Sequence, residues 1–424
     1  MRRSLYAAAL FAIVPALAAC SGQQSTSAIP STPQGGLAST QGQVMSSCGA
    51  LLPGDHFRCL ALLRTDVRGL TGPDGRAVMG ISRNATPSGY GPATLQAAYA
   101  LPSSSAGSGQ TVAIVDAYND PNAAADLAVY RSQYGLSACT VASGCFTQVS
   151  QTGSKTSLPR NNGGWAEEES LDMDMVSATC PNCKIILVEA TSATTSNLET
   201  AENEAAKLGA TVITNSYGGS EYAGSDSAFN HAGIVIVASA GDSGYAEGSQ
   251  QPCSFATVVC AGGTSLSTAN NSRGYTETVW NDASGATGSG CSSLVTKPSW
   301  QTDKGCTKRS QSDVSFDADP NTGVAVYDSY AYEGYKGWLV FGGTSVASPA
   351  LAGVFALAGN GASIGPNAAQ GIWAAAGGGL NSVTSGNNGT CSASIKYICT
   401  AGTNTDGVYS GPAGWGTPNG VSVF

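Results

Sequence analysis

Histidine is almost absent from this chain: 424 residues carry two, His56 and His231. Chemistry built on an imidazole base must use one of them, and neither sits in a suitable run. His56 precedes the first core-like strand, and His231 lies in the loop-like stretch Phe229-Asn230-His231-Ala232-Gly233. Charge is also scarce, at 11% of residues, and 19 Lys and Arg against 28 Asp and Glu leave a net charge of −9. A polyanionic partner needs clustered bases, so nucleic-acid binding is excluded as a main task. Few ionisable side chains also mean less self-repulsion when carboxylates protonate in acid. Beyond the N-terminus no apolar run is long enough to cross a bilayer, and no internal repeat appears.

What the chain does have is glycine, 55 residues of it, and a few runs rich in chemistry. Gly343-Thr344-Ser345-Val346-Ala347-Ser348-Pro349 follows an apolar, strand-like stretch at 337–341 and opens an Ala/Leu-rich segment predicted to be helical. Ser345 therefore stands at a helix N-terminus, where free N–H groups and the positive dipole end favour developing negative charge. That is a place for a nucleophile as well as for an ordinary cap. Its proton could go to the acidic run Trp165-Ala166-Glu167-Glu168-Glu169-Ser170-Leu171-Asp172-Met173-Asp174-Met175-Val176. At about 100° per residue, Leu171, Met175, Val176 and Ala178 share one arc, and Glu169, Ser170, Asp174 and Ser177 the opposite, polar arc. Met173 is the apolar residue on the polar side. Glu168 and Asp172 fall inside the apolar arc, four residues apart and hence one above the other. An acidic run on a helix is ordinarily a solvated face, but two inward-facing acids cost free energy without a partner or a task.

These runs together resemble the sedolisins, serine-carboxyl peptidases of the subtilisin-like superfamily. Gly-Thr-Ser-x-Ala-Ser-Pro matches the superfamily's serine signature, and Glu168 and Asp172 match the Glu-x-x-x-Asp pair that replaces the subtilisin histidine. Glu167 and Glu169 do not align with that pair. Ala238-Ser239-Ala240-Gly241-Asp242-Ser243-Gly244 matches a third motif, in which an Asp replaces the subtilisin oxyanion-hole Asn, so the resemblance assigns that role to Asp242. The resemblance runs from about Tyr90 to the C-terminus and includes Asp313-Val314-Ser315 and Ala318-Asp319-Pro320-Asn321-Thr322-Gly323. It also implies that Asp116, at the end of Thr111-Val112-Ala113-Ile114-Val115-Asp116, can extend the hydrogen-bond network, where the plain reading is a turn former. Ser216, Tyr217 and Gly218 resemble the edge on which an extended peptide substrate adds as a strand. Gly241-Asp242-Ser243-Gly244 also spells the chymotrypsin-like nucleophile run, but alternating strands and helices exclude that double barrel. Nor is Ser345 in a Gly-x-Ser-x-Gly elbow, since Ala347 stands two residues on.

In this chemistry a glutamate accepts the Ser345 proton only when ionised, and Asp242 donates to an oxyanion only when protonated. The two needs oppose each other, so activity is expected to be bell-shaped. It centres at roughly pH 3 to 5 for ordinary carboxyls and higher where burial raises them. Asp172 would share the Glu168 proton, and the titrations belong to the network. No metal or organic cofactor enters the chemical step.

Residues 1–19 read as a signal peptide, and Leu17-Ala18-Ala19-Cys20 as a lipoprotein box that would leave a lipid-modified Cys20. The expected location is exported and membrane-anchored, at the outer membrane or cell surface, with a secreted form as the alternative. Residues 20–46 read as a flexible tether, 47–88 as a short disulfide-stapled pro-segment or N-terminal extension, and 89–424 as the peptidase domain. Setting Cys20 aside leaves twelve of 13 cysteines in close pairs: 48/59, 139/145, 180/183, 253/260, 291/306 and 391/399. Proximity suggests six local disulfides. Cys180-Pro181-Asn182-Cys183 reads as a structural staple rather than a redox motif, because it follows a helix.

One family feature is missing. Sedolisins have a calcium site near the C-terminus with two Asp residues, and the matching positions here are Ser382 and Ser410. Without both carboxylates the site loses the charge that holds a hard cation. No calcium is expected there, and disulfides such as Cys391–Cys399 are expected to hold the loop. The fold expected is a three-layer α/β domain with a mainly parallel sheet, right-handed crossovers and catalytic groups at the carboxyl ends of strands. The function expected is acid endoproteolysis of protein or peptide substrates by a monomer. The alternatives are a catalytically silent, lipid-anchored binding module on the same fold, and an acyl-transferring enzyme acting on esters.

Overall fold

The computed structural model describes residues 43–67, 69–71, 86–405 and 407–424. The proposed signal peptide, Cys20 and nearly all of the tether lie outside them. A parallel sheet forms from strands β4 (Thr111–Ala117), β5 (Phe146–Ser150), β6 (Lys184–Ala190), β7 (Val212–Asn215), β9 (Val235–Ser239) and β10 (Val258–Thr268). Their spatial order is β5-β6-β4-β7-β9-β10. Antiparallel β11 (Tyr275–Val279) and parallel β12 (Val314–Asp317) both pair with β10 and complete eight strands.

Alternation within these strands explains the layers. In β4, Val112 and Ile114 enter one hydrophobic core while Ala113 and Val115 enter another. Ile185 and Leu187 of β6 divide from Ile186 and Val188 in the same way. A strand with period two that is apolar on both faces needs cover on both sides, as parallel sheets generally do. Cover comes from α1 (Ala123–Gln133), α2 (Gly163–Thr179), α3 (Thr195–Lys207) and α4 (Thr344–Ala358). Strand order reverses around β4, so the crevice at the carboxyl ends beside it is where this architecture places a ligand.

Helix α2 starts at Asn162, whose side chain accepts from Trp165 N at 3.2 Å. It packs against α1, α4 and strand β13 (Val324–Tyr332), which forms a hairpin with β14 (Tyr335–Gly342). The two-arc reading fails here: every residue from Gly164 to Thr179 is buried, the polar arc included. Neighbouring elements absorb those polar groups. Arg131 donates to Ser177 Oγ at 3.0 Å, Tyr327 N donates to Asp174 Oδ2 at 2.9 Å, and Asp120 N donates to Glu169 Oε2 at 2.9 Å.

The N-terminal stretch is woven into the domain. β1 (Val44–Ser46) pairs with β3 (Leu62–Arg64), which pairs with β14, and β2 (Arg58–Cys59) pairs with β8 (Tyr217–Ser220). The six cysteine pairs suggested by proximity are all closed as disulfides.

Candidate active site

Ser345 is the second residue of α4, after a Gly343 held at φ 94°, a left-handed conformation suited to glycine. Its Oγ donates to the Ser216 carbonyl at 3.2 Å, and the residue is fully buried. Pro349, inside α4, has no N–H to return to the Ser345 carbonyl. That freed carbonyl lies 3.5 Å from Ser216 Oγ.

Glu168 and Asp172 reach the same place from α2. Glu168 Oε2 accepts the backbone N–H groups of Leu60 at 3.0 Å and Ala61 at 2.8 Å, while Oε1 has no hydrogen-bond partner. Asp172 Oδ1 accepts from Ser216 Oγ at 2.7 Å, and its Oδ2 is without a partner. Burial pushes the Glu168 carboxyl well above its ordinary range and the Asp172 charge pushes it further, against the nearby Ser345 hydroxyl and the Ala61 N–H. Burial likewise raises Asp172, with repulsion from Asp116 adding to it and the Ser216 hydrogen bond opposing it.

Asp116, near the end of β4, is buried with neither carboxylate oxygen hydrogen-bonded. Burial raises it strongly, and the charges of Glu168 and Glu189 raise it more. An uncompensated carboxylate is expensive in such a place, so its ionisation is disfavoured. The structure thus brings Asp116 to the carboxyl cluster. Glu169, which no motif singles out, is raised by burial and by the neighbouring charges of Glu189, Asp120 and Asp116.

Asp242 follows β9 on the loop beyond Ser239. Its Oδ1 accepts both the backbone N–H and the hydroxyl of Thr344 at 2.8 Å, leaving Oδ2 unpartnered. Burial raises its pKa to about 7, with the two Thr344 hydrogen bonds pulling the other way. A carboxyl fixed through one oxygen and protonated on the other is a hydrogen-bond donor. Thr344 stands in the serine motif itself, next to Ser345, and its hold on Asp242 was readable only once the loop was placed.

Neither histidine contributes. His56 is exposed and its Nδ1 is 2.9 Å from Thr195 Oγ1, while half-buried His231 lies in the loop before β9, its pKa lowered by burial. The expected substrate edge, Ser216 to Gly218, is occupied: Tyr217 and Gly218 pair with Cys59 and Arg58, and Leu60 N donates to Ser216 O at 3.2 Å. Sequence reasoning missed Leu60 and Ala61 because they act through backbone atoms.

Of the two calcium-type positions, Ser382 is exposed and Ser410 is buried with a partnerless hydroxyl. Among the described residues no group of three or more His, Cys, Asp or Glu could hold a metal ion.

A model of the subtilase family, peptidase S8, matches residues 160–376. The chain is 32% identical over 308 residues to kumamolisin of Bacillus sp. (strain MN-32), which covers 65% of this chain and 53% of that protein. It is 35% identical over 190 residues to sedolisin of Pseudomonas sp. (strain 101), covering 41% of this chain and 30% of that protein. It therefore spans about half or less of the length of these relatives. Among solved structures it is similar to Pseudomonas sedolisin complexed with two molecules of pseudo-iodotyrostatin. The TM-score is 0.65 at 27% identity, over 79% of this chain and 96% of that one.

Proposed function

This chain belongs to the subtilase family and, within it, to the sedolisins, and on that premise we propose that it is a serine-carboxyl endopeptidase acting on proteins in acid. The observation that carries this reading is the convergence of four side chains from α2, α4 and the loop after β9. Ser345 and Asp172 meet at Ser216, Glu168 stands beside Ser345, and Asp242 holds Thr344 with one oxygen free.

In the proposed mechanism Ser345 Oγ attacks the substrate carbonyl carbon as Glu168 takes its proton, and the carbonyl becomes a tetrahedral oxyanion. A proton on Asp242 Oδ2 donates to that oxyanion, in a site where burial strengthens the bond. Glu168 then returns its proton to the leaving amine, and water releases the acyl group by the same steps in reverse order of roles. Asp172, fixed by Ser216 Oγ, positions Glu168 and shares its proton, and Asp116 extends the cluster. Calcium and cofactors have no part in this scheme, because the residues at 382 and 410 do not fit a cation. A lipid on Cys20 would tether the enzyme to a membrane, and intact mass of the exported protein, with Cys20→Ala beside it, tests that arm.

The test of the main reading is degradation of an unfolded protein across pH 3 to 8 by wild type and Ser345→Ala. Loss of at least about a thousandfold in the variant supports it. Equal rates in the two proteins, or none from folded, unblocked wild type, would reject it in favour of a silent binding module.

A further inference from the structure

The run Ala318-Asp319-Pro320-Asn321-Thr322-Gly323 belongs to the resemblance, yet no step of the proposed mechanism uses it. Buried Asp319 caps the single 3-10 turn Pro320–Thr322: its Oδ1 accepts Asn321 N at 2.8 Å, while Oδ2 accepts Ser265 Oγ at 2.6 Å. Facing it is Asp282, half-buried on a small hairpin of Asn281–Asp282 and Gly285–Ala286. The two carboxyls hydrogen-bond each other, and Asn321 bridges them, its N–H on Asp319 and its Nδ2 on Asp282 Oδ2. Asp282 Oδ1 takes the N–H of Ser284 at 2.7 Å, inside the hairpin turn. A hydrogen bond between two carboxyls needs a proton on one of them, because an ionised carboxylate only accepts.

Each carboxyl belongs to a segment that places part of the candidate site. On the Asp319 side, Gly343 N donates to the Ala318 carbonyl at 2.6 Å, two residues before Ser345. On the Asp282 side, the hairpin holds the Asp242 loop at three points. Ala286 N donates to Asp242 O at 2.9 Å, Gly288 N to Gly241 O at 2.7 Å, and Gly244 N to Ala286 O at 2.9 Å. The two sides meet again at Gly343, where an added Cβ would lie 2.8 Å from Asp242 Oδ2. We propose that Asp319 and Asp282 are positioning residues of the peptidase. The proton between them keeps the hairpin, and with it the Asp242 loop, in place against the start of α4, and its loss toward neutral pH frees the hairpin. This rests on the peptidase reading given above and adds a second cause for activity to decline as pH rises.

Charge fixes the direction of the effect. Burial raises Asp319 to about 6 and Asp282 raises it further, against hydrogen bonds from Ser265 and Asn321. Below that pH the pair is joined by its proton; above it two carboxylates face each other in a partly buried place and repel. Asp317 of β12 is raised well above its ordinary range by burial and by the Asp319 charge, so the first new charge falls on Asp319. Glu277 of β11, which also bears on Asp317, is paired with Arg273 at 2.7 Å. Arg64 of β3 touches the same turn, donating to Asn321 Oδ1 at 3.0 Å and Pro320 O at 3.1 Å, but its ion pair is with Asp66. The decline expected from the pair is therefore centred near pH 6 and precedes loss of the Asp242 proton near pH 7.

The experiment compares wild type with Asp282→Asn, Asp319→Asn and Asp282→Ala, by cleavage of a peptide from pH 3 to 8 and, in the Ser345→Ala background, by hydrogen exchange of residues 281–288. An amide keeps the bond between the two side chains at any pH. Both Asn variants should match wild type within about twofold at pH 4 and keep at least about threefold more of that rate at pH 6.5. Asp282→Ala, which releases the hairpin at every pH, should lower kcat at pH 4 by about tenfold with KM changed less than about twofold. Exchange at 281–288, corrected for its intrinsic pH dependence, should rise at least about tenfold from pH 5 to 7.5 and stay level once Asp282→Asn is added. Superimposable pH profiles for wild type and both Asn variants, or exchange that ignores pH, would overturn the proposal and leave the peptidase reading standing. If folded wild type cleaves nothing at any pH, the peptidase reading falls, and the positioning role falls with it.

Discussion

One residue, Thr344, holds the Asp242 carboxyl twice through the same oxygen, by its N–H and its hydroxyl, each at 2.8 Å. The second oxygen is left to donate if protonated, and burial keeps the pKa near 7. The donor is therefore present below about pH 7 and lost above it. Asp242→Asn should move the alkaline limb of the pH–rate profile upward, since an amide N–H donates at any pH while its carbonyl still accepts from Thr344. Asp242→Ala should cost about 100- to 1000-fold in kcat. An unchanged alkaline limb in the Asn variant would remove Asp242 from the oxyanion role.

Asp116 predicts the behaviour of the opposite limb. Its charge raises Asp172, and it is itself raised by Glu168, so the three carboxyls oppose one another's ionisation. Asp116→Asn removes that repulsion and lets the Glu168–Asp172 pair ionise at lower pH. The acid limb should then shift downward by a fraction of a unit to about one unit, with kcat at the optimum changed less than about tenfold. A purely structural Asp116 would leave the limb in place.

The candidate site residues were legible because short motifs carry them: Ser345, Glu168, Asp172 and Asp242 all come from runs with a chemical meaning of their own. The strand at 111–116 was legible too, and its residues Val112 to Val115 divide between two cores as a period of two requires. Where the reading failed, tertiary cover was the reason. A helical wheel divides α2 into two arcs, but Arg131, Tyr327 and Asp120 arrive from other elements to satisfy the polar one. Leu60 and Ala61 gave no signal because a backbone N–H belongs to every residue but proline. The closeness of Cys48 to Cys59 indicated a staple there, and nothing in their spacing said that the stapled strand lies in the cleft.

Buried carboxyls set a pH dependence of stability distinct from that of activity. Burial raises Asp120 to about 7 and Glu167, Glu189 and Asp328 each to about 8, from ordinary values of 3.8 for Asp and 4.5 for Glu. The folded state then binds more protons than the unfolded state between those limits, so stability falls as pH rises. Their contribution is complete below about pH 4 and is lost progressively up to about pH 8. Melting temperature of the Ser345→Ala protein, which on the proposed mechanism cannot digest itself, should decline steadily from pH 4 to 8. A maximum near neutrality would contradict these protonation states.

Arg309 and Asp313 form a wholly buried ion pair at 2.6 Å beside β12. Asp313 also accepts from Trp373 Nε1 at 2.7 Å and Cys260 N at 2.8 Å, so its carboxylate ties β10, β12 and a C-terminal helix together. Arg309→Met fills similar volume but leaves that carboxylate without its cation. The cost should be about 3–5 kcal/mol in denaturant unfolding of the Ser345→Ala background. Arg309→Met with Asp313→Asn should recover part of it, because the pair is lost together. A single variant within 1 kcal/mol of its parent, about the error of a neutral surface change, would mean the pair is replaced by water or by another base.

The C-terminal loop offers the sharpest departure from a calcium-bound design. Cys391–Cys399 closes it, Asn388 N donates to Cys399 O at 3.0 Å, and Ala401 N donates to Gly386 O at 3.0 Å, so the loop's shape is held by covalent and backbone bonds. Two hydroxyls at 382 and 410 supply no charge to pay for stripping water from a divalent cation. Millimolar calcium or a chelator should therefore leave the melting temperature within about 1 °C of its starting value, since ligand binding to the folded state alone would raise it. Removing the staple with Cys391→Ser and Cys399→Ser should lower stability by about 2–4 kcal/mol, the usual range for a native disulfide. If calcium raised the melting temperature of the parent by several degrees, the cation would have to sit on backbone carbonyls, and the staple would not be its replacement.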